Sequence, residues 1–209
     1  HALGVFTKIA AQLRSEIILT GCAGHAGTIP ASLRNDPLPV ASEMILAVNR
    51  ICKSDELIRS TVGHLEVTPN ASNVIPGTVK FSIDMRYPDL KGLRRVHNKL
   101  SQEIKSIAKR SDLKFEYKLV HEASDAQLDQ RLTDILAESC EVMQGSSPRM
   151  FSGAGHDSMK LAQVCPTSML AVRCKDGLSH HPDEFASNAD CILAFEAMLR
   201  AVLRIDKIF

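Results

Sequence analysis

Residues 78–86 alternate without a break: Val79, Phe81, Ile83 and Met85 on one side, Lys80, Ser82, Asp84 and Arg86 on the other. A side-chain period of two over this length is a strand with one apolar face, and that face needs a covering layer. The flanking sequence supplies two helices for it. Asn35 or Asp36 caps the first, with Pro37 in its first turn and an apolar side of Val40, Ala41, Met44, Ile45, Val48 and Ile51. Asp89 opens the second, along Leu90, Leu93, Val96, Leu100, Ile104 and Ile107. Residues 13–22 read as a strand, 61–68 as a strand broken at Gly63, and Phe115, Tyr117 and Leu119 as a fourth. The order β-α-β-β-α-β predicts a two-layer α+β sandwich over residues 13–122.

From Ala123 the pattern changes. A helix along Leu128, Leu132, Ile135, Leu136 and Val142 leads to the sequence SGAGHDS and a short helix, DSMKLAQV, capped by Asp157. The apolar run 168–172 reads as a buried strand, GLSHHPDE follows, and a last helix carries Ile192, Phe195, Met198, Leu199, Val202 and Leu203 inward. One core strand is too little for an independent domain. Residues 123–209 are therefore expected to close an α/β domain, with residues 1–12 as its edge and the βαββαβ unit inserted into it. The opening HALGVFTKIAAQLR has neither an initiator Met nor a leader pattern, so the chain is expected to begin partway through a longer protein.

Charge excludes some partners. With 25 basic and 24 acidic residues, the net charge of +1 gives no electrostatic case for nucleic acid or an anionic membrane surface. No apolar run reaches the roughly 18 residues of a membrane span. Cys22, Cys52, Cys140, Cys165, Cys174 and Cys191 include no C-x-x-C pair, and are expected to be buried thiols of a reducing, cytoplasmic protein.

Several polar positions are candidates for chemistry. Gly153, Ala154 and Gly155 leave the backbone nearly bare, so its N–H groups can approach a ligand, and His156 and Asp157 follow at once. Ser179, His180, His181 and Glu184 sit on a second loop, which is otherwise a plain polar surface loop. His25, between glycines, is a ligand-facing imidazole or an ordinary turn histidine. Asn73, in NASNVIPG, is a rigid amide or an Asx-turn. Arg86 suits bidentate capture of a carboxylate, or pairs with Asp84 two residues back on the same face. A single histidine is not a metal site, and neither H-E-x-x-H nor a Glu-Glu pair is present to complete one.

Taken together, GHAGTIPASLRNDPL, NASNVIPGTVKFSIDMRYPD, SGAGHDS and GLSHHPDE resemble, in order and spacing, the M20 metallopeptidase family. Within it they are most similar to the amidohydrolase branch: N-carbamoyl-amino-acid hydrolases, β-alanine synthases, and allantoate or ureidoglycolate amidohydrolases. The resemblance covers essentially the whole chain and corresponds to the C-terminal half of such an enzyme. It implies that residues 13–122 are the family's lid, a homodimerisation domain. His180 would be the last metal ligand of a centre holding two divalent ions, zinc or manganese. His25 would reach the partner subunit's site to stabilise the oxyanion. Asn73 and Arg86 would hold the carboxylate of a small substrate, and the Gly153–Ala154–Gly155 backbone would contact it.

The activity so implied is hydrolysis of the ureido C–N bond of N-carbamoyl amino acids. The family's other ligands and its Glu base match nothing here, so the isolated chain is expected to be inactive. Allantoate or ureidoglycolate hydrolysis, an M20 peptidase or aminoacylase, and a non-catalytic dimerising module are the alternatives.

Overall fold

Strand β1 (Leu3–Ile9) and strand β2 (Ala11–Thr20) are separated by Ala10 alone, yet they belong to different units. The computed structural model describes residues 1–208 and divides into Ala11–Ser124 and a second unit made of His1–Ala10 with the chain from Asp125. The mixed α/β class expected from the sequence is what the structure has.

In the first unit the order is β2, β3 (Gly24–His25), α1 (Pro37–Lys53), β4 (Arg59–Thr61), β5 (Leu65–Thr68), β6 (Val74–Ile75), β7 (Thr78–Tyr87), α2 (Leu90–Lys109) and β8 (Lys114–Ala123). The sheet runs β4-β7-β2-β8, all antiparallel, with β5 also on β7. On β7, Val79, Phe81, Ile83 and Met85 are fully buried under α1 and α2, each worth roughly 1.5–3 kcal/mol of burial. Asp36 caps α1 by accepting from the Leu38 N–H at 2.9 Å, and Asp89 caps α2 by accepting from the Gly92 N–H at 2.7 Å.

Departures from the expected strands have local causes. Thr61 pairs with Asp84 and Leu65 with Phe81, so residues 62–64 face only 82–83 and bulge at Gly63. Strand β2 stops at Thr20 because the Cys22 N–H turns to the Asn35 carbonyl at 2.9 Å. Gly21 lies hard against that carbonyl: a Cβ there would come within 2.0 Å of its oxygen. Strand β8 is a sheet edge. A shift in its register with β2 between Arg14 and Ser15 leaves Leu119 and Val120 exposed.

Inside this unit the Tyr117 hydroxyl donates to Ser15 Oγ at 3.2 Å and lies 2.9 Å from His97 Nε2. Burial holds the His97 imidazole below its ordinary pKa and pushes the Tyr117 phenol up.

In the second unit β1 is central. Strand β10 (Arg149–Ser152) pairs with it in parallel, and β11 (Met169–Val172) and β9 (Ala126–Gln127) antiparallel. Helices α3 (Gln130–Gln144) and α5 (Asn188–Ile205) pack against β1 and each other, and α4 (Ser158–Leu161) is a single turn. The sequence reading missed β10, whose four residues show no period.

Four other expectations are corrected. The run 168–172 holds a strand, Met169–Val172, but it is only partly buried, since among the described residues β1 is its one neighbour in the sheet. Val142 faces out, and Leu128 is buried but precedes its helix. Helix α5 is turned the other way from the reading: Asp190, Ala194, Ala197 and Ala201 face inward. Ile192, Phe195, Met198, Leu199, Val202 and Leu203 are exposed, Phe195 by 68%. The alanines let the helix lie close to α3, so the small side makes the contact. Of the cysteines, only Cys140 is buried; Cys22, Cys165 and Cys191 are exposed and Cys52 and Cys174 intermediate, all as free thiols. Among the described residues no helix is long and apolar enough to cross a membrane.

Candidate functional site

The candidates divide between the units, three in Ala11–Ser124 and the rest in the other. His25 and Asn73 meet. Strands β3 and β6 form a two-stranded ribbon pairing His25 with Val74, and the Ala26 N–H donates to the Asn73 carbonyl at 2.9 Å. Beyond His25 the chain folds back on itself, with the Thr28 and Ile29 N–H groups on the His25 carbonyl at 3.2 and 3.3 Å. The Gly27 N–H donates to His25 Nδ1 at 3.1 Å. A backbone N–H can only donate, so Nδ1 carries the lone pair and the proton of the neutral ring is on Nε2. Gly27 keeps the approach close: a Cβ there would sit 3.2 Å from His25 Cε1, and the ring would have to shift by a few tenths of an ångström. The exposed imidazole thus offers an N–H donor outward.

Arg86 is not part of this group. The ribbon joins the sheet where Thr20 pairs with Thr78, whereas Arg86 lies eight residues on, roughly 27 Å along β7. Its guanidinium donates to Asp84 from Nε at 2.9 Å and from Nη2 at 3.3 Å. Arg14 Nε and Gln12 Nε2 reach the same carboxylate at 3.0 and 2.5 Å. Burial pushes the Asp84 carboxyl up, but the bonds from Arg86, Arg14 and Gln12 outweigh it and hold the group below its ordinary pKa. The pairing with Asp84 is therefore real, and it orients Arg86. Gln12 carried no sequence signal, lying on the polar side of a strand read from residue 13.

In the second unit Ser152 is buried and closes a tight turn. Its hydroxyl accepts from the Ala154 N–H at 3.1 Å and lies 2.8 Å from His156 Nε2. The expectation of a bare donor loop is corrected at Ala154, whose N–H is already used. The Asp157 side chain makes no capping hydrogen bond, and α4 is a single turn. Ser152 was legible only as the Ser four residues before His156.

His180 lies on the loop between β11 and α5 with φ of +57°, a left-handed conformation uncommon outside glycine. Glu184 holds that turn by accepting the His180 N–H at 3.0 Å, and His181 Nδ1 accepts from the Asp183 N–H at 3.1 Å. Among the described residues the His180 imidazole has no hydrogen-bond partner. The loop neck is closed by the Lys175 N–H on the Phe185 carbonyl at 2.8 Å and by Arg173 on the buried Asp190. Asp190 was legible as a charge in register with Ala194, Ala197 and Ala201.

The two loops leave the sheet at opposite ends of β1, since Ser152 pairs with Ile9 and Val172 with Leu3. Among the described residues no three His, Cys, Asp or Glu side chains gather closely enough to hold a metal ion. His180 alone fits one ligand position and not a centre.

The sequence profile of Peptidase family M20/M25/M40 matches residues 10–204. An N-carbamoyl-L-amino-acid amidohydrolase of Pseudomonas sp. (strain NS671) is 32% identical over 98% of this chain and 50% of its own length. An allantoate deiminase of Arabidopsis thaliana is 34% identical over 95% of this chain and 43% of its own. A crystal structure of a hydantoinase/carbamoylase family amidase from Burkholderia vietnamiensis superposes with a TM-score of 0.91 at 35% identity, over 97% of this chain and 49% of that one. The chain spans about half the length of the curated relatives it matches. With nearly its whole length matched by one profile, this chain belongs to peptidase family M20/M25/M40.

Proposed function

We propose that this chain works as part of a metal-dependent amidohydrolase that cleaves the ureido C–N bond of an N-carbamoyl amino acid of the N-carbamoyl-β-alanine type. One water is consumed, and the free amino acid, ammonia and carbon dioxide are released. The observation that carries the reading is the His25 ring. Its Nδ1 is committed to the Gly27 N–H, so Nε2–H is a fixed outward donor of the kind that stabilises a developing oxyanion.

The other roles are proposals of the same reading. Arg86, oriented by Asp84, binds the substrate carboxylate together with Asn73, and the Gly153–Gly155 backbone lines the same substrate. His180 gives one ligand to a centre whose other ligands lie outside this chain. Divalent ions, zinc or manganese, supply Lewis acidity and an activated water when bound there.

His25 and Asn73 depend on one end of β7 and Arg86 on the other. Two copies, each lending one end, are the arrangement this reading calls for. A homodimer formed along the exposed edge of β8, where Leu119 and Val120 are uncovered, is consistent with it.

Allantoate is the second substrate reading, favoured by the relatives named allantoate deiminase. It shares a ureido group and a carboxylate with the first. The test is turnover by the parent enzyme of N-carbamoyl-β-alanine and allantoate, read as ammonia release, and of an N-acyl amino acid, read as release of the free amino acid. Turnover of the N-carbamoyl substrate is expected. Turnover of the acyl compound alone would overturn the ureido reading.

A further inference from the structure

Arg34 has no role so far. It leaves the short 3-10 turn Ala31–Leu33 and sends its exposed side chain back over the turn that follows His25. Nη2 donates to the Ala26 carbonyl at 2.6 Å and Nε to the Ile29 carbonyl at 2.9 Å. The Ala26 carbonyl and the Gly27 N–H are the two ends of one peptide group. That group is planar and trans, so the two bonds point in opposite directions. Arg34 holds one end, and His25 Nδ1 receives the other.

A flip of this peptide would turn a carbonyl toward Nδ1, and only the Nδ1–H form of the ring could then bond to it. Gly27 makes the flip sterically easy, since glycine accepts positive φ at little cost. Nothing in the ribbon opposes it: the Ala26 N–H on Asn73 fixes the preceding peptide group and not this one.

We infer that Arg34 is a positioning residue that locks the Ala26–Gly27 peptide group, and through it keeps the proton of His25 on Nε2. The inference deepens the proposed function and rests on its reading of His25 as an oxyanion donor. The lock itself is a statement about the free chain, testable without substrate or metal. A lysine at position 34 would not reproduce it, because a single ammonium lacks the fork that spans two carbonyls.

The experiment is nitrogen-15 NMR of the histidine rings at about pH 8.5, some two units above the ordinary histidine pKa. The 209-residue chain is compared with Arg34→Met and Arg34→Lys, and amide spectra verify that each is folded. The parent is expected to show His25 with Nε2 protonated and Nδ1 as acceptor, and Arg34→Met to show a mixed or Nδ1-protonated ring. Arg34→Lys falls between them. Should Arg34→Met misfold, Arg34→Lys carries the same comparison. An unchanged His25 pattern in folded variants would overturn the lock, as would Nδ1–H in the parent.

In the parent enzyme, Arg34→Met should lower kcat about 10- to 100-fold with KM little changed, the usual scale for losing the partner that orients a functional imidazole. A shifted tautomer with unchanged kcat would leave the lock standing and remove His25 from the oxyanion role.

Discussion

Arg173 and Asp190 are joined by three hydrogen bonds, of 2.9, 3.0 and 3.2 Å, across the loop that carries His180. Arg173 directly follows β11, and Asp190 lies in the first turn of α5, only 5% exposed. Such a pair fixes both ends of the loop and leaves its middle to hold the strained His180. Charge-assisted hydrogen bonds to a buried carboxylate contribute about 2 kcal/mol, which corresponds to about 30-fold in a local opening equilibrium. Asp190→Asn or Arg173→Met should therefore raise amide hydrogen exchange through residues 175–186 by that order. Exchange indistinguishable from the parent would mean that the loop is held elsewhere.

Gly21→Ala should be among the most damaging single-methyl additions in the Ala11–Ser124 unit. The new Cβ would meet a backbone carbonyl at 2.0 Å, which cannot rotate away as a side chain could. Overpacking of this kind costs about 3 kcal/mol. Denaturant unfolding of the whole chain would show the loss as a lower midpoint, and an unchanged midpoint would show that the turn at Asn35 yields.

The contrast between the two units explains what was legible in the sequence. The alternation along Val79 to Met85 and the helix faces on Met44 and Leu100 each answer to a partner nearby in the chain, so period alone placed them. Strand β10 is four residues long with three exposed, and has no period to read. Helix α5 misled for a physical reason. Apolar periodicity locates a stripe, but not which stripe a neighbour needs, and here α3 and β1 take the alanines. Within the candidate site, residue types pointed to His25, Asn73, Arg86 and His180. The groups that orient them act through backbone (Gly27, Arg34) or across distant sequence (Gln12 on Asp84, Asp190 on Arg173), and neither leaves a local pattern.

Stability of the chain should fall on the acid side of neutrality because of His97. Burial holds its folded pKa below the unfolded value, so the unfolded chain takes up a proton first as the pH drops. The contribution is intact above the ordinary histidine pKa and declines as pH falls from there toward the folded value, where it levels off. Denaturant midpoints measured from about pH 8 to pH 5 should show this decline, and His97→Gln should flatten it. A decline of equal size in the variant would assign it to another group.

Arg86→Ala in the parent enzyme should weaken binding more than turnover. Losing a bidentate contact to a carboxylate is worth about 1.5–3 kcal/mol, so KM for carboxylate substrates should rise about 10-fold or more with a smaller change in kcat. Asp84→Asn should move KM in the same direction by less, since it removes the orienting group and not the contact. A normal KM in Arg86→Ala would contradict the carboxylate role.

The two faces of α5 invert the usual grammar of substitution. In most amphipathic helices the large apolar positions resist change and the alanines are filler. In this unit, enlarging Ala197 to Leu would wedge α5 away from α3, while trimming Phe195 to Ala would remove only an exposed ring. A mutational scan of folding would therefore find the intolerant positions of this helix at its alanines 194, 197 and 201 and at Asp190 in register with them. The exposed bulky residues, Ile192, Phe195, Met198, Leu199, Val202 and Leu203, would be nearly silent for folding, leaving any selection on them to come from what that face touches during function.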